Sequence, residues 1–436
     1  MSNYLNWQNK VSTDHKIVPL LFVADYHISP VDKIVKDDEE PVKLCNYTDV
    51  YKNTYINSDI EFMDGSASEN EIERFVIQNG DILITKDSES WNDIGIPAIV
   101  KGGFEHTTVC GYHLALMRPY KKLVVPKYLF YCFESKQHRL QLEIEATGVT
   151  RFGIPKNAIA KYKIPLPSFT QQSKIVDYLN QEVAKIDALI EKKIQLITIL
   201  EEKKKAVINQ TVTKGLDLSV SMKNSGIEWL GEIPGHWEMV KLKYLTDGLK
   251  YGANEAAEDD NYNDPRYIRI TDIDENGDLR EETFRSIPLE VAEEYLLQDG
   301  DILLARSGAT VGKSFLYKKE YGISAYAGYL IRMRCNAKIS PRYMYYYTLS
   351  SSYWNQIYID SIQATIQNFS GEKYANMIVV VPNYDEQEKT IDSLDLYFEK
   401  FNDLKKKVLL SLDLLKEKRT AIISAAINGE LNSELS

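Results

Sequence analysis

Two stretches with the same pattern stand half a chain apart: IPLPSFTQQSKIVDYL, from Ile164 to Leu179, and VVVPNYDEQEKTIDSL, from Val379 to Leu394. In each, an apolar strand-like run ends at a proline, and a long segment without Gly or Pro follows. Gln172 of the first stretch is followed 215 residues later by Gln387 of the second. The pattern therefore predicts, twice, a strand that leads into a long helix.

Further matches in the same order extend this similarity over both halves. VPKYLFYCFES from Val125 matches SPRYMYYYTLS from Ser340, and NGDILIT around Gly80 matches DGDILLA around Gly300. Upstream of each long segment, short apolar runs alternate with Gly, Pro, Asn and Asp, which is typical of strands and turns. Collinear matches of this kind indicate an internal duplication, so each half should be one β-rich domain followed by one long helix.

Two long helices are predicted, with apolar stripes from Ile175 to Ile208 and from Ile391 to Ile422, and with Gly215 and Gly429 placed to end them. Their apolar residues recur every three or four positions over about 40 residues, and such a stripe, ~60 Å long, needs another helix to cover it. A globular domain separates the two helices, so the simplest packing is antiparallel, one against the other. The predicted fold class is α+β: two similar domains of helices and strands, separated by two long helices packed as an antiparallel coiled coil with pseudo-two-fold symmetry. The boundaries follow as 1–167, 168–215, 216–382 and 383–436.

The composition is that of a globular protein: 436 residues, 44% hydrophobic and 26% charged, with a net charge of −11. That charge argues against a chain that coats nucleic acid non-specifically, although it allows a local basic face. The four cysteines and six histidines show no metal-ligand spacing, so neither a metal nor a disulfide framework is expected. No apolar run approaches the ~20 residues of a membrane span, which predicts a cytoplasmic protein without membrane contact.

No catalytic motif is complete. SGATVGKS, from Ser307 to Ser314, has Ser where a phosphate-binding P-loop needs its first Gly, and strand-like FLYKK follows it instead of a helix. It is better explained as a Gly-rich hairpin from which Arg306 and Lys313 project. NDPRY lacks the second proline of an amino-methyltransferase loop. We therefore expect no enzymatic activity, no catalytic residues and no cofactor.

Two loops in each half combine small residues, amides, hydroxyls and cations. Arg and Lys can read guanine, Gln and Asn can read adenine, and hydroxyls can hold phosphate, so these loops suit a DNA groove; solvated hairpin tips are the alternative. The candidate DNA-binding residues of the first half are Lys86, Ser88, Ser90, Asn92, Thr147, Thr150, Arg151 and Lys156. Those of the second half are Arg306, Ser307, Thr310, Lys313, Gln363, Thr365, Gln367 and Asn368.

The whole chain resembles the DNA-specificity subunits of type I restriction-modification systems. The stretches that carry the resemblance are IPLPSFTQQSKIVDYLNQEVAKIDALIEKK from Ile164, SGIEWLGEIPGHWEMVKLK from Ser225, GDILLARSGATVGK from Gly300 and KRTAIISAAINGEL from Lys418. One departure is at the N-terminus, where the usual opening seen at Gly231-Glu232-Ile233-Pro234 is missing. The opening strand of the first domain is therefore not defined by the sequence.

The resemblance implies that each domain is a target recognition domain for one half of a split sequence in double-stranded DNA. It further implies that the helices, placed at residues 171–213 and 386–427, set the half-site distance. They would also dock DNA methyltransferase (modification) subunits, two in number, which carry the chemistry. In systems that also cleave, a restriction or translocase subunit joins them. A second hypothesis remains open: a coiled-coil adaptor whose two globular domains bind proteins.

Overall fold

The computed structural model describes residues 6–256, 259–274, 277–362 and 368–431. The chain forms two compact units. Unit 1 comprises residues 1–193 and 409–436, and unit 2 comprises residues 194–408. Each unit has its own buried apolar clusters, built on its sheets and on parts of both long helices. The mixture of helices and strands in two similar units confirms the α+β class.

Unit 1 and the helix that leaves it contain the elements of the first half. They are β1 (Lys16–Pro19), β2 (Ala24–Ile28), β3 (Glu40–Cys45), α1 (Tyr47–Lys52), β4 (Tyr55–Asn57), β5 (Met63–Ala67), α2 (Glu69–Phe75), β6 (Ile82–Thr85), β7 (Asp87–Ser88), β8 (Pro97–Gly102), β9 (Thr108–Cys110), β10 (Leu114–Pro119), α3 (Pro126–Glu134), α4 (Lys136–Glu145), β11 (Phe152–Gly153), α5 (Lys156–Lys161), β12 (Lys163–Leu166) and α6 (Phe169–Lys214).

The second half repeats this order with fewer short elements. They are β13 (Met222–Asn224), β14 (Glu232–Pro234), β15 (Glu238–Lys241), β16 (Thr246–Tyr251), β17 (Arg266–Ile268), α7 (Leu289–Ala292), β18 (Ile302–Ala305), β19 (Ser314–Leu316), β20 (Ser324–Tyr326), β21 (Leu330–Cys335), α8 (Pro341–Thr348), α9 (Ser351–Ile362), α10 (Gly371–Asn376), β22 (Ile378–Val381) and α11 (Tyr384–Asn428).

The main sheets of the two units have the same topology. In unit 1 the strand order is β2-β10-β6-β8, with β4 added in parallel at the edge, and in unit 2 it is β16-β21-β18-β19. The four shared strands are antiparallel to one another in both units. A smaller sheet also repeats, since β3 pairs in parallel with β9 as β17 does with β20. This common topology confirms the internal duplication.

In each unit a two-stranded ribbon contains the strand that directly precedes a long helix. In unit 2 it is β15 with β22, and in unit 1 it is β1 with β12. β1 supplies the opening strand that the N-terminal sequence left undefined. The run KIVP pairs with KIPL in antiparallel register, although it lacks the Gly-Glu-Ile-Pro pattern found in the second half.

The long helices end where the sequence predicts. α6 and α11 are one to two residues longer at each end than the predicted 171–213 and 386–427. Each stops before a glycine with a φ of 78°, Gly215 and Gly429, a conformation that residues with a Cβ adopt only at a cost. Within the described ranges, neither these helices nor any other helix is long and apolar enough to cross a membrane.

A buried glutamine ties the start of α6 to unit 1. Gln172 accepts a hydrogen bond from the amide of Val125 at 2.8 Å, and its own amide nitrogen donates to the carbonyls of Leu123 (3.2 Å) and Pro167 (3.1 Å). These bonds satisfy polar backbone groups just before α3 and at the proline that ends β12. The helix, the sheet ribbon and α3 are therefore joined at one side chain.

Gln387 makes the same three bonds at the start of α11. It accepts from the amide of Ser340 at 2.8 Å and donates to the carbonyls of Lys338 (3.2 Å) and Pro382 (3.1 Å). Both glutamines are 1% exposed. The two most similar stretches of the sequence thus build the same junction in both units.

Candidate nucleic-acid interface

In unit 1, backbone hydrogen bonds bring the two predicted loops together at Lys86. The amide of Ile154 donates to the carbonyl of Lys86 at 2.9 Å, and β7 pairs with β11, so that Asp87 lies opposite Gly153. The amide of Lys86 donates in turn to the carbonyl of His113 at 2.8 Å. Three segments, around residues 86–92, 113 and 147–156, therefore form one surface.

In unit 2, equivalent backbone hydrogen bonds bring the two predicted loops together at Arg306. We call the meeting points at Lys86 and Arg306 the joints of the two units. The carbonyl of Arg306 accepts from the amide of Phe369 at 2.8 Å, and its amide donates to the carbonyl of Tyr329 at 3.0 Å. Ser307 and Asn368 form an isolated β-bridge beside it. The loop from residue 306 to residue 313 is the predicted Gly-rich hairpin, since β18 and β19 on either side pair in antiparallel register. Both predicted loops of unit 2 meet here.

A network of charged side chains lies at the joint of unit 1. The ammonium of Lys86 lies 2.9 Å from the carboxylate of Asp87, and Nδ1 of His113 lies 2.6 Å from the same carboxylate. Arg151 donates to Nε2 of His113 at 3.3 Å. His113 thus links the Asp87 carboxylate to the Arg151 guanidinium.

The pKa of the Asp87 carboxyl lies below its ordinary value. Burial raises this pKa, but the hydrogen bonds from Lys86 and His113, together with the positive charge of Lys86, outweigh that effect. Asp87 therefore stays ionised and fixes two neighbouring side chains of the candidate surface.

His113 was missed by the sequence analysis. Its φ is 72°, in the left-handed region that few residues other than Gly occupy, although His, Asn and Asp do so more often than other side chains. Such backbone strain is concentrated at functional sites. A signal was present in the sequence: Gly111-Tyr112 precedes β10 just as Gly328-Tyr329 precedes β21. This repeated pair marks the third segment of each surface.

In unit 2 the joint is aromatic instead of ionic. The guanidinium carbon of Arg306 lies 4.9 Å from the ring centre of Tyr251, in cation–π geometry. The hydroxyl of Tyr251 accepts from the amide of Gly371 at 2.9 Å, so the ring is itself held in place. The buried Nε of Arg306 has no hydrogen-bond partner within the described part of the chain. An unused donor therefore sits at the centre of this surface.

The predicted site residues differ in exposure. Lys86, Arg306, Ser307 and Thr310 are half-buried, and Ser88 is buried, with its hydroxyl accepting from the amide of Ser90 at 3.2 Å. Exposed are Ser90, Asn92, Thr147, Thr150, Arg151, Lys156, Lys313 and Asn368. Gln363, Thr365 and Gln367 lie outside the described residues.

Exposed aromatic side chains border both surfaces, and the sequence analysis did not single them out. Trp91 lies within the first loop of unit 1, Tyr112 precedes His113, and Tyr329 holds the equivalent place in unit 2. They are 47%, 47% and 67% exposed. Among the residues that the structure describes, no group of three or more His, Cys, Asp or Glu side chains could hold a metal ion.

Comparison with known families matches both halves of the chain to one model. The Type I restriction modification DNA specificity domain matches residues 31–198 and again residues 234–413. The chain is 23% identical over 412 residues to the type I restriction enzyme EcoKI specificity subunit of Escherichia coli K12, covering 92% of this chain and 84% of that one. It is 28% identical over 243 residues to the MjaVIII specificity subunit of Methanocaldococcus jannaschii, covering 54% of this chain and about half (52%) of the relative.

Solved structures share the fold at low sequence identity. A chain from a structure on the assembly and conformational transition of a type I R-M system has a TM-score of 0.67 at 18% identity, covering 97% of this chain and 99% of that one. The HsdS subunit from Thermoanaerobacter tengcongensis has a TM-score of 0.51 at 17% identity, covering 97% and 98%. With the family model matched in both halves, the chain belongs to the family of type I restriction-modification DNA specificity proteins.

Proposed function

We propose that this chain is the DNA-specificity subunit of a type I restriction-modification complex and reads a split target in double-stranded DNA, one half-site per unit. The observation that carries the proposal is the repeated joint at Lys86 and Arg306. In both units the same backbone hydrogen bonds bring two polar, cation-bearing loops together. Two equivalent reading surfaces in one chain suit two half-sites.

Direct base contact is assigned to the exposed and half-buried members of the predicted set. In unit 1, Arg151 is held by His113, and in unit 2, the half-buried Arg306 lies on the ring of Tyr251. Arg donates bidentately to the O6 and N7 atoms of guanine in the major groove. The hydroxyls and amides of Ser90, Asn92, Thr310 and Asn368 are assigned to phosphates and base edges.

The finer architecture is also part of the proposal. Domains at 1–167 and 216–382 would be the target recognition domains, and the segments 168–215 and 383–436 would pair as an antiparallel coiled coil with pseudo-two-fold symmetry. Contacts within unit 2 support this pairing. Glu201 of α6 forms an ion pair with Lys405 of α11 at 2.8 Å. One turn further along α6, the ammonium of Lys204 lies over the rings of Phe401 and Phe398, which precede Lys405 on α11. Residue numbers therefore increase along α6 while those of the contacting residues on α11 decrease, as in an antiparallel pair of helices.

The chemistry would reside in partners. We assign methyl transfer to two DNA methyltransferase subunits, and cleavage, where present, to a restriction or translocase subunit; this chain would act in the cytoplasm without catalysis of its own. Large apolar side chains remain exposed on the long helices and suit helical partners. They include Leu189, Ile194, Ile199, Leu396, Leu404, Leu409, Leu410 and Leu414.

The test is modification-sensitive sequencing of DNA from cells that express this chain with its methyltransferase partner, beside cells with the partner alone. A split motif of methylated adenines that depends on this chain is expected. A complex that assembles but creates no motif would instead favour the adaptor hypothesis, in which the two globular domains bind proteins.

A further inference from the structure

Unit 1 contains a cavity of about 490 Å³ between its sheet edge, α3 and the long helices. None of the candidate DNA-binding residues that the structure describes lines it. The residues that matter here are Tyr55, Lys101, Lys127, Tyr131, Asn180 and Arg419. This volume is in the range of cavities that hold small molecules. We call it the Lys127 cavity.

Two ammonium groups meet at this cavity on one aromatic ring. The Nζ of Lys101 lies 3.7 Å from the ring centre of Tyr55, and the Nζ of Lys127 lies 4.2 Å from it and 3.0 Å from its hydroxyl oxygen. Lys127 also lies 4.0 Å from the ring centre of Phe130. Like charges brought this close repel each other. Burial, together with the nearby Lys101, lowers the pKa of Lys127 to about 8.

No carboxylate of the described chain neutralises these two lysines within ion-pair distance. Asp187 is the one acidic side chain among the described residues that line the cavity, and Arg419 binds it at 2.8 Å. Arg419 also binds Glu134 at 2.6 Å, so this arginine brings its own counter-charges. Lys101 and Lys127 therefore leave the cavity with an excess of positive charge.

Unit 2 has the missing charge at the equivalent position. Arg342 of α8 corresponds to Lys127 of α3, and it forms an ion pair with Asp395 of α11. Tyr346 donates to the same carboxylate. In unit 1 the equivalent tyrosine, Tyr131, donates at 3.0 Å to an amide oxygen, that of Asn180.

The duplication thus preserves the tyrosine, the cation and the position of their partner, but replaces a carboxylate by a neutral amide. Removing one partner of an ion pair leaves an uncompensated charge, which costs stability when the site is partly buried. In unit 1 that charge remains beside an open cavity, where a bound anion could neutralise it.

We propose that the Lys127 cavity binds a phosphate-type anion, whose oxygens take the place that the Asp395 carboxylate holds in unit 2. Lys101 and Lys127 would donate to the anion from the Tyr55 side, and the side-chain amide of Asn180 would donate from the helix side. The phosphate belongs either to a small free phosphate compound or to the backbone of bound DNA. The site is independent of base recognition, so its loss would leave the sequence read by the loops unchanged.

The test is isothermal titration calorimetry of the full chain with pyrophosphate, using two variants of Asn180 that differ in charge. Asn180→Asp places a carboxylate where unit 2 has one, and Asn180→Ala removes the amide without adding charge. Asn180 is exposed, so both variants should fold. Pyrophosphate should bind the wild type at one site. Its affinity for Asn180→Ala should be within about threefold of the wild-type affinity, and its affinity for Asn180→Asp should be at least about tenfold weaker.

A second arm separates the two sources of phosphate. The salt dependence of binding to a duplex without the target sequence is measured for the same proteins. A slope of log K against log salt that is smaller by about one in Asn180→Asp, without pyrophosphate binding, would assign the site to DNA backbone. Equal pyrophosphate affinity and equal salt slopes in the wild type and Asn180→Asp would overturn the proposal.

Discussion

Unit 1 and unit 2 hold their paired loops with the same backbone hydrogen bonds but fill the joint with different side chains. At Lys86 the joint is a charged network through Asp87 and His113, whereas at Arg306 it is an arginine on a tyrosine ring. The backbone bonds need no particular side chain, so they survive changes of sequence. The difference teaches that duplication preserved the loop framework while the side chains of the loops diverged.

The two glutamine junctions, at the starts of α6 and α11, show the opposite. Gln172 and Gln387 make the same three hydrogen bonds at distances that agree to 0.1 Å. A buried amide that satisfies three backbone groups cannot be exchanged without leaving some of them unpaired. Identical glutamine junctions and divergent loops fit the proposed function, in which one framework reads two different half-sites.

The largest expected effect tests the two glutamine junctions. Gln172→Leu and Gln387→Leu should each lower the free energy of unfolding by about 3 kcal/mol, because buried backbone amides and carbonyls lose their partners. Urea unfolding, followed by fluorescence and circular dichroism, measures the loss. Gln181→Leu, at an exposed position of α6, is the control and should change stability by less than about 0.5 kcal/mol.

Equal losses in the two glutamine variants would confirm that the junctions are equivalent. A loss in only one of them would mean that the identical hydrogen bonds have different energetic weight in the two units, and that the comparison holds for geometry alone.

The next effect tests the loops. Arg306→Ala should weaken binding to a duplex that carries the second half-site by about 10- to 100-fold, which is the value of one bidentate base contact, and leave the first half-site unaffected. Arg151→Ala should do the reverse. Competition with duplexes in which one half-site is scrambled measures both, once the methylated motif is known. Equal losses at both half-sites for either variant would contradict independent reading by the units.

A smaller effect tests the ionic joint of unit 1, which unit 2 lacks. Asp87→Asn should lower stability by about 1–2 kcal/mol at pH 7, because Lys86 and His113 lose their charged partner. The pKa of Asp87 is lower in the folded state, so its contribution is present above its ordinary pKa of about 4 and disappears as the pH falls through the folded value. Unfolding curves of the variant and the wild type should converge in acid.

A difference between the Asp87→Asn variant and the wild type that stays constant down to pH 2 would show that the lost stability comes from the shape of the side chain and not from its charge. Arg306→Ala serves as the matched case in unit 2. Its effect on stability should not vary over this range, because no carboxylate titrates in its contact with Tyr251.

Much of this architecture could be predicted, because periodicity and repetition are local signals. The ends of both long helices follow from Gly215 and Gly429, and the Gly-rich hairpin after Arg306 follows from the failure of SGATVGKS as a P-loop. The repeat also placed two candidate loops in each half, and in each unit the structure joins them. The family followed from the same stretches.

What could not be predicted depends on contacts between distant residues. His113 and Asp87 are 26 residues apart, and nothing in either local sequence indicates their hydrogen bond or the positive φ of His113. The exchange of Asp395 for Asn180 is visible in an alignment of the two halves, but its meaning depends on Lys127 lying beside it in the fold. Burial of Ser88 was equally hidden, since it accompanies the pairing of β7 with the distant β11.

The smallest expected effect concerns the helix that follows the second loop of unit 2. α10 begins after Ser370, whose hydroxyl accepts from the amide of Lys373 at 3.3 Å, whereas α5, its counterpart in unit 1, begins after Pro155 without a side-chain cap. Ser370→Ala should therefore destabilise unit 2 by about 1 kcal/mol, and Ser370→Asp should restore most of the loss, because a carboxylate caps equally well. Hydrogen exchange at the amides of α10 reports the effect directly. Since Phe369 bonds Arg306 one residue before this cap, faster exchange in Ser370→Ala should extend to that joint, and exchange confined to α10 would show that the joint is held by β18 alone.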